Sequence, residues 1–353
     1  EQLEGVALFL GLGLGKTIAT LMIYQELKRR KAVKKGLLIL APKRVCEITW
    51  PDEVEKWTNF KDLSWVNLAG KTPAKRKELL MSKADVCLST VDSTTWLLSM
   101  FNTTNKLKSL PYDMLVCDES TAFKTWGSGR TKALRKLQSA FRKTLLLSAT
   151  PRANGVLDLF AQFFVLNGGK SLGKTISAFK NKYGYTGGYK GYDWIPHGWA
   201  DDAVNELIAP YTIRMDSIDH LDLPSMTFNN IYCEFDSATR KKYKQLEDEM
   251  WLEFESGGEL IPLNAGVRYQ SCKQFTGGGV YVGPKDDRQV ERLHDEKLNL
   301  LSDTVEECGS AFVAYQYQWE HDVIQERLIK AGHRVASLNG NTKAGEAGKI
   351  VAR

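Results

Sequence analysis

The sequence predicts an α/β fold, a parallel sheet with helices on both faces, followed by the opening of a second unit of the same kind. Three observations predict it. Short apolar runs at 6–10, 37–41, 85–90, 113–117 and 144–148 alternate with helical stretches, the rhythm of βαβ units. A Gly-rich turn, Gly13-Leu14-Gly15-Lys16-Thr17, stands between the first run and a helix. Further on, an apolar run ends in two carboxylates, Asp118 and Glu119.

The first run is Val6-Ala7-Leu8-Phe9-Leu10, and the helix beyond the turn places Ile18, Leu21, Met22 and Leu27 at amphipathic spacing. Backbone N–H groups of such a turn point inward and cradle phosphate oxygens at a helix N-terminus. Gly13, Leu14, Gly15, Lys16 and Thr17 are therefore the expected nucleotide-binding set. Lys16 is placed to reach the β- and γ-phosphates, and the Thr17 hydroxyl to ligate Mg²⁺. The strict phosphate-loop pattern wants glycine where Leu10 stands, so the match rests on Gly13, Gly15, Lys16 and Thr17. A dinucleotide fold also uses three spaced glycines, here Gly11, Gly13 and Gly15. It needs an acid at the end of the next strand, and Leu37–Leu40 runs into Ala41-Pro42-Lys43-Arg44 instead. A second Gly-Lys-Thr at 173–175 has no apolar strand before it and is read as chance.

The run Met114–Cys117 ends in Asp118, expected to hold the magnesium, and Glu119, expected to orient or deprotonate the attacking water. Lys16, Asp118 and Glu119 form the expected catalytic set, with Thr17 and Asp118 as metal ligands. Right-handed connections bring them to the carboxyl edge of the sheet.

Residues 166–200 change character. Lys170, Lys174, Lys180, Lys182 and Lys190 face a single acid, Asp193, and are interleaved with Phe179, Tyr183, Tyr185, Tyr189, Tyr192, Trp194 and Trp199. Two readings stand: a nucleic-acid surface with phosphates on lysines and bases on rings, or a Gly-rich loop whose rings pack into a satellite core. Residues 236–256 read as a charged, exposed helix, and 257–290 as Gly-rich and partly loop. From Asp295 a new α/β pattern begins, with a helix to Cys308, a strand at 311–315, a helix at 319–331 and a strand at 334–338.

The chain has 353 residues and 43% hydrophobic content, enough for two domains. Its net charge of +6 permits a polyanionic partner without demanding one. Six scattered cysteines form no Cys-x-x-Cys pair, which excludes a zinc site or a disulfide framework and implies a reducing, intracellular setting. No apolar run reaches transmembrane length. The chain does not begin with Met, and the first strand starts almost at once, so it is expected to be clipped at its start.

The motifs resemble, in order, those of superfamily-2 helicase-type motors, and within them the Swi/Snf-type branch in its compact bacterial and phage forms. Phe9 to Thr17 resembles motif I. Leu38-Ile39-Leu40-Ala41-Pro42 with Trp50, Glu53 and Trp57 resembles motif Ia, and Leu88-Ser89-Thr90 falls where motif Ib lies. Asp118 to Lys124 resembles motif II, and Leu147-Ser148-Ala149-Thr150-Pro151 resembles motif III. Leu157-Asp158-Leu159-Phe160 with Phe163 is similar to the helix that follows it in this branch. Arg214 and Asp222-Leu223-Pro224 resemble the exit from the first lobe. Phe312 to Tyr315 and Leu338-Asn339-Gly340 resemble the opening of the second.

The resemblance implies tandem RecA-like lobes: 1–165 as the ATP-binding lobe, 166–290 as insertion and linker, and 291–353 as an incomplete second lobe. It implies ATP and Mg²⁺, hydrolysis coupled to movement on double-stranded DNA, and a monomer in the cytoplasm of a bacterial or virus-infected cell, without membrane contact. Ser148 and Thr150 are implied to couple the nucleotide to the nucleic-acid groove, and Lys43, Ser89 and Thr90 to touch the nucleic-acid backbone. Trp50 and Trp57 lie in an amphipathic helix and are read as core packing. A strand-separating DNA or RNA helicase, or a nucleotide-gated DNA clamp without turnover, are the alternatives.

The sequence also departs from the family. The glutamine that reads adenine lies upstream of motif I, and Gln2 is too close to the loop to serve. No glycine-rich motif V or arginine-rich motif VI is present, and Arg353 lacks the context of an arginine finger. Asp-Glu-Ser-Thr replaces Asp-Glu-x-His at motif II, leaving lobe coupling without its usual histidine. Gly11-Leu12 stands where acidic residues are often found.

Overall fold

The computed structural model describes residues 4–188, 193–222, 226–284, 287–340, 342 and 350. Gln2, Tyr189, Lys190, Tyr192, Leu223, Pro224 and Arg353 lie outside the described residues. The chain divides into two compact units, Glu1–Pro224 with Thr342–Arg353, and Ser225–Asn341.

The first unit runs β1 (Gly5–Leu10), α1 (Lys16–Arg29), β2 (Gly36–Ala41), α2 (Trp50–Lys56), β3 (Trp65–Asn67), α3 (Pro73–Leu80), β4 (Val86–Thr90), α4 (Thr94–Met100), α5 (Thr104–Lys108), β5 (Tyr112–Asp118), α6 (Gly129–Leu137), β6 (Lys143–Ser148) and α7 (Leu157–Asn167). It continues through α8 (Ile176–Tyr183), the hairpin β7 (Gly184–Gly187) and β8 (Asp193–Pro196), α9 (Ala200–Ile208), β9 (Thr212–Met215) and the short α10 (Ser217–His220). Seven strands form one sheet in the order β3-β4-β2-β5-β6-β1-β9. Every neighbouring pair is parallel.

Strand side chains alternate between faces, and the sheet therefore feeds two cores. Ala7, Phe9, Leu38, Leu40, Cys87, Leu115, Cys117 and Leu146 pack on one face with Leu97 of α4, Leu134 of α6 and Phe160 and Phe163 of α7. Leu8, Leu10, Leu37, Ile39, Val86, Leu88, Met114, Val116, Leu145 and Leu147 pack on the other with Leu21 and Tyr24 of α1 and Trp50 and Val54 of α2. Strands buried on both faces read as unbroken apolar runs, which is why five of the seven were visible in the sequence. On α1 the buried face carries Tyr24, while Met22 is 53% exposed and leaves the expected apolar face.

The first unit extends past the boundary expected at 165. β9 pairs with β1 on its outer side, from Ala7↔Thr212 to Leu10↔Met215. This strand has four residues, with Ile213 and Arg214 exposed, so it lacks the apolar run that marks a buried strand. The stretch between them packs back on the first core through Phe179, Tyr183, Ala200, Val204 and Ile208.

The second unit contains α11 (Ser237–Glu249), the two-residue pair β10 (Leu252–Glu253) and β11 (Glu259–Leu260), α12 (Ala265–Phe275), the hairpin β12 (Gly279–Val282) and β13 (Gln289–Arg292), α13 (Glu296–Cys308) and α14 (Gln318–Lys330). Leu246, Leu252, Phe254, Cys272, Phe275 and Val280 form its core. The stretch 257–290, expected as Gly-rich and partly loop, holds α12 and the hairpin. The Asn264 side chain caps α12 by accepting from the Val267 N–H, and Gly278, at φ 102°, turns the chain into β12. The helices at 296–308 and 318–330 fall where expected, but 311–315 and 334–338 carry no strand. A strand is held by its neighbours' backbone groups, and neither segment joins a ladder among the described residues; Phe312 is 89% exposed. No described helix is long and apolar enough to cross a membrane.

Candidate nucleotide site at the carboxyl edge of the sheet

The parallel ladder brings the ends of five strands to one edge. Phe9 of β1 lies opposite Ser148 of β6, Leu147 of β6 opposite Asp118 of β5, Leu40 of β2 opposite Cys117, and Ala41 opposite Thr90 of β4. The turn after β1, the carboxylates after β5, Ser148, and the residues that follow β2 and β4 therefore share a rim.

Within the turn, Gly13 and Gly15 sit at φ 81° and 70°. Gly15 caps α1 in the left-handed region, where a side chain costs about 1–2 kcal/mol. Lys16 opens α1 and its Nζ donates to the carbonyls of Leu10 and Gly11, each at 3.0 Å. The ammonium is thus folded across the mouth of the loop. Thr17 follows on the first turn, half-buried. Leu10, at the position where the strict pattern asks for glycine, is buried at the end of β1. Gly11 has a reason of its own: a Cβ there would meet the Ser217 Oγ at 2.1 Å and the Ser217 nitrogen at 2.8 Å. Ser217 donates its hydroxyl to the Leu12 carbonyl at 2.7 Å, and the Gly11 N–H donates to the Met215 carbonyl at 2.9 Å. The end of β9 and the start of α10 thereby brace the loop, and an acidic residue at Gly11 would not fit.

Asp118 is 8% exposed. Both carboxylate oxygens are held: the Trp50 indole N–H donates to Oδ2 at 2.9 Å, and the Glu119 N–H donates to Oδ1 at 3.0 Å. Alternation explains the first partner. Cys117 faces the α4–α7 side, so Asp118 falls on the side of α1 and α2, where Trp50 is fully buried. Trp50 was expected to pack in the core; it does, and its polar edge also orients the carboxylate. A buried indole N–H needs a partner, yet nothing in the sequence names which. Burial pushes the Asp118 carboxyl above its ordinary value, while the two donors and the Lys16 ammonium pull it back. Glu119 is raised by burial and then by the Asp118 charge, with Lys16 opposing. Its backbone is left-handed, φ 51° and ψ 61°, a conformation that costs about 1–3 kcal/mol outside glycine and clusters at functional sites.

The donor set fits a magnesium–nucleotide complex. Such an ion arrives on phosphates and takes one or two protein oxygens, and the Thr17 hydroxyl and the Asp118 carboxylate are the groups that would serve. Among the described residues no three His, Cys, Asp or Glu side chains form a cage that would hold a metal by themselves.

The remaining candidates separate. Ser148 is fully buried and its Oγ accepts from the Thr150 N–H at 3.1 Å, shaping the turn that leaves Thr150 exposed. Lys43 is exposed after β2, 4.0 Å from Glu47, and Thr90 is half-buried with its hydroxyl 2.8 Å from Ser93. Ser89 is fully buried in β4, and its Oγ has no partner among the described residues. Strand alternation sets the half-buried Thr90 on the opposite face of β4 from Ser89.

Fold and site together define a RecA-like P-loop NTPase lobe. A family model of the SNF2-related domain matches residues 2–270, and the chain belongs to that family, with the ATPase core that characterises it. Protein p41 of Acyrthosiphon pisum secondary endosymbiont phage 1 is 31% identical over 341 residues, covering 94% of this chain and 72% of that protein. The TATA-binding protein-associated factor mot1 of Aspergillus fumigatus is 25% identical over 337 residues, covering 84% of this chain but 17% of mot1. The Sulfolobus solfataricus SWI2/SNF2 ATPase core in complex with dsDNA has the same fold, with a TM-score of 0.50 at 20% identity over 99% of this chain and 70% of that one.

Proposed function

We propose that the protein is an ATP-driven motor that couples hydrolysis to translocation on double-stranded DNA. The observation that supports this most is the meeting of the Lys16–Thr17 loop and the Asp118–Glu119 pair at one rim, with Asp118 pre-oriented by Trp50. Lys16 exchanges the neutral carbonyls of Leu10 and Gly11 for β- and γ-phosphate oxygens, a charge-assisted and stronger pairing. The N–H groups around Gly13 and Gly15 receive phosphate oxygens at the α1 terminus. Thr17 and Asp118 would hold a magnesium ion, which would supply charge neutralisation on the phosphates. Glu119, with its raised affinity for a proton, takes one from the attacking water. Ser148 shapes the turn by which Thr150 reaches the nucleic-acid groove, and Lys43 and Thr90 meet the DNA backbone.

The test is steady-state ATP turnover of the protein with no nucleic acid, with duplex DNA and with single-stranded RNA. Duplex stimulation that is abolished in Lys16→Ala and reduced about 10²–10⁴-fold in Glu119→Gln supports the motor. Stimulation by RNA instead makes it an RNA helicase, and no turnover leaves a nucleotide-gated clamp.

A further inference from the structure

We propose that Gln162 is a positioning residue that ties the carboxylate segment to the loop after β6 and so transmits nucleotide state to DNA grip. This rests on the ATP-driven reading above. Gln162 lies in α7, Leu-Asp-Leu-Phe-Ala-Gln-Phe-Phe-Val-Leu-Asn, and is fully buried. An amide there is costly unless bonded, and every part of it is bonded. Its Oε1 accepts from the Ser120 hydroxyl at 2.6 Å, and its Nε2 donates to the carbonyls of Pro151 at 2.7 Å and Asp158 at 2.8 Å. Two carbonyls can only accept, so Nε2 must face them, which leaves Oε1 for the hydroxyl.

One turn earlier on the same face, Asp158 repeats the arrangement. Its Oδ2 accepts from the Asn154 N–H at 3.0 Å and lies 3.5 Å from the Lys124 ammonium. Residues i and i+4 share a helix face, so one face of α7 grips Ser120 and Lys124 on one side and Pro151 and Asn154 on the other. Ser120 adjoins Glu119, and Pro151 adjoins Thr150. Apolar contacts slide, whereas hydrogen bonds of fixed length hold register, so a shift of the carboxylates on nucleotide binding is carried to the Thr150 turn. The link is a buried serine–glutamine pair, Ser120 and Gln162.

Equilibrium linkage tests this without hydrolysis. Duplex affinity is measured with and without a non-hydrolysable ATP analogue and Mg²⁺, for the wild type, Gln162→Met and Ser120→Ala/Gln162→Met. The expected wild-type ratio is at least about fivefold, falling to within about twofold in both variants, while each ligand alone binds as in the wild type. Gln162→Met leaves the Ser120 hydroxyl buried and unpaired, so its melting temperature falls; the double variant removes that hydroxyl and recovers stability. Coupling that stays lost in the recovered double variant supports the bridge. Coupling that returns with stability reduces Gln162 to a packing residue, and a wild-type ratio in Gln162→Met overturns the proposal outright. A wild type that binds both ligands with no linkage overturns the bridge alone, whereas a wild type that binds neither overturns the reading of the site and the bridge with it.

Discussion

At the carboxyl edge of the sheet, Lys16, Asp118 and Ser148 stand beside the ends of β1, β5 and β6, and their meeting follows from topology. Over residues 170–199, lysines and rings of equal chemical promise are distributed by solvent instead. Phe179 and Tyr183 are 2% and 3% exposed and join the core, with ring contacts at 5.1 Å to Phe160 and 4.7 Å to one another. Trp194 packs beside them and donates its indole N–H to the Lys180 carbonyl at 3.0 Å. Tyr185 and Trp199 stay on the surface, the latter stacked on His197 at 5.5 Å. A motif anchored to a strand end has one place to go. A composition has several, and the apolar half of this one chose the interior.

The comparison breaks most sharply at Phe179. If its ring is core, Phe179→Ala costs about 3–5 kcal/mol in chemical denaturation; a cost under about 1 kcal/mol returns the ring to the surface reading. At the edge, the sharper test is Trp50→Phe, which keeps the buried ring and removes the donor to Asp118. Loss of a partner that orients a metal ligand typically weakens metal affinity about 10–100-fold, so the Mg²⁺ needed for nucleotide binding should rise by that factor with little change in fold. An unchanged Mg²⁺ requirement returns Trp50 to packing alone.

A smaller effect concerns Glu119. Its folded-state proton affinity is raised, so the ionised form is disfavoured in the fold, and the stability it contributes is present at low pH and lost as pH rises through its folded value. Glu119→Gln should therefore melt slightly above the wild type at pH 7. The gap should close in acid, below the ordinary glutamate range, where both states carry a neutral carboxyl; a gap of opposite sign at pH 7 contradicts the assignment. The smallest change is expected at Lys180 and Lys182. Replacing both with Ala should leave the salt dependence of duplex binding within about one unit of slope. A flattening by about two, at roughly 0.9 for each phosphate no longer neutralised, restores the nucleic-acid surface for this stretch.

Five strands and the Lys16, Thr17, Asp118 and Glu119 set were legible because each is written in consecutive residues. β3 and β9, with three and four residues, were not, since neither is a buried run. Nor were the partners of the site. Trp50 meets Asp118 across 68 positions, and Ser120 meets Gln162 across 42; only the fold supplies those pairings. Ser89 shows the converse limit, because burial separates it from its half-buried neighbour Thr90 in the same motif. Gly11 was legible as a departure, and the reason for it, Ser217, lies just beyond a strand the sequence did not reveal.

The hydrogen bond between Trp50 and Asp118 also gives the protein a built-in spectroscopic reporter. The chain has nine tryptophans, and the Trp50 indole N–H lies 2.9 Å from the carboxylate oxygen proposed to share a magnesium ion. In protein grown on fluorotryptophan, the ¹⁹F resonance of Trp50 is expected to follow the charge on that oxygen, so filling of the metal position can be watched without attaching a dye to the Gly13–Thr17 loop.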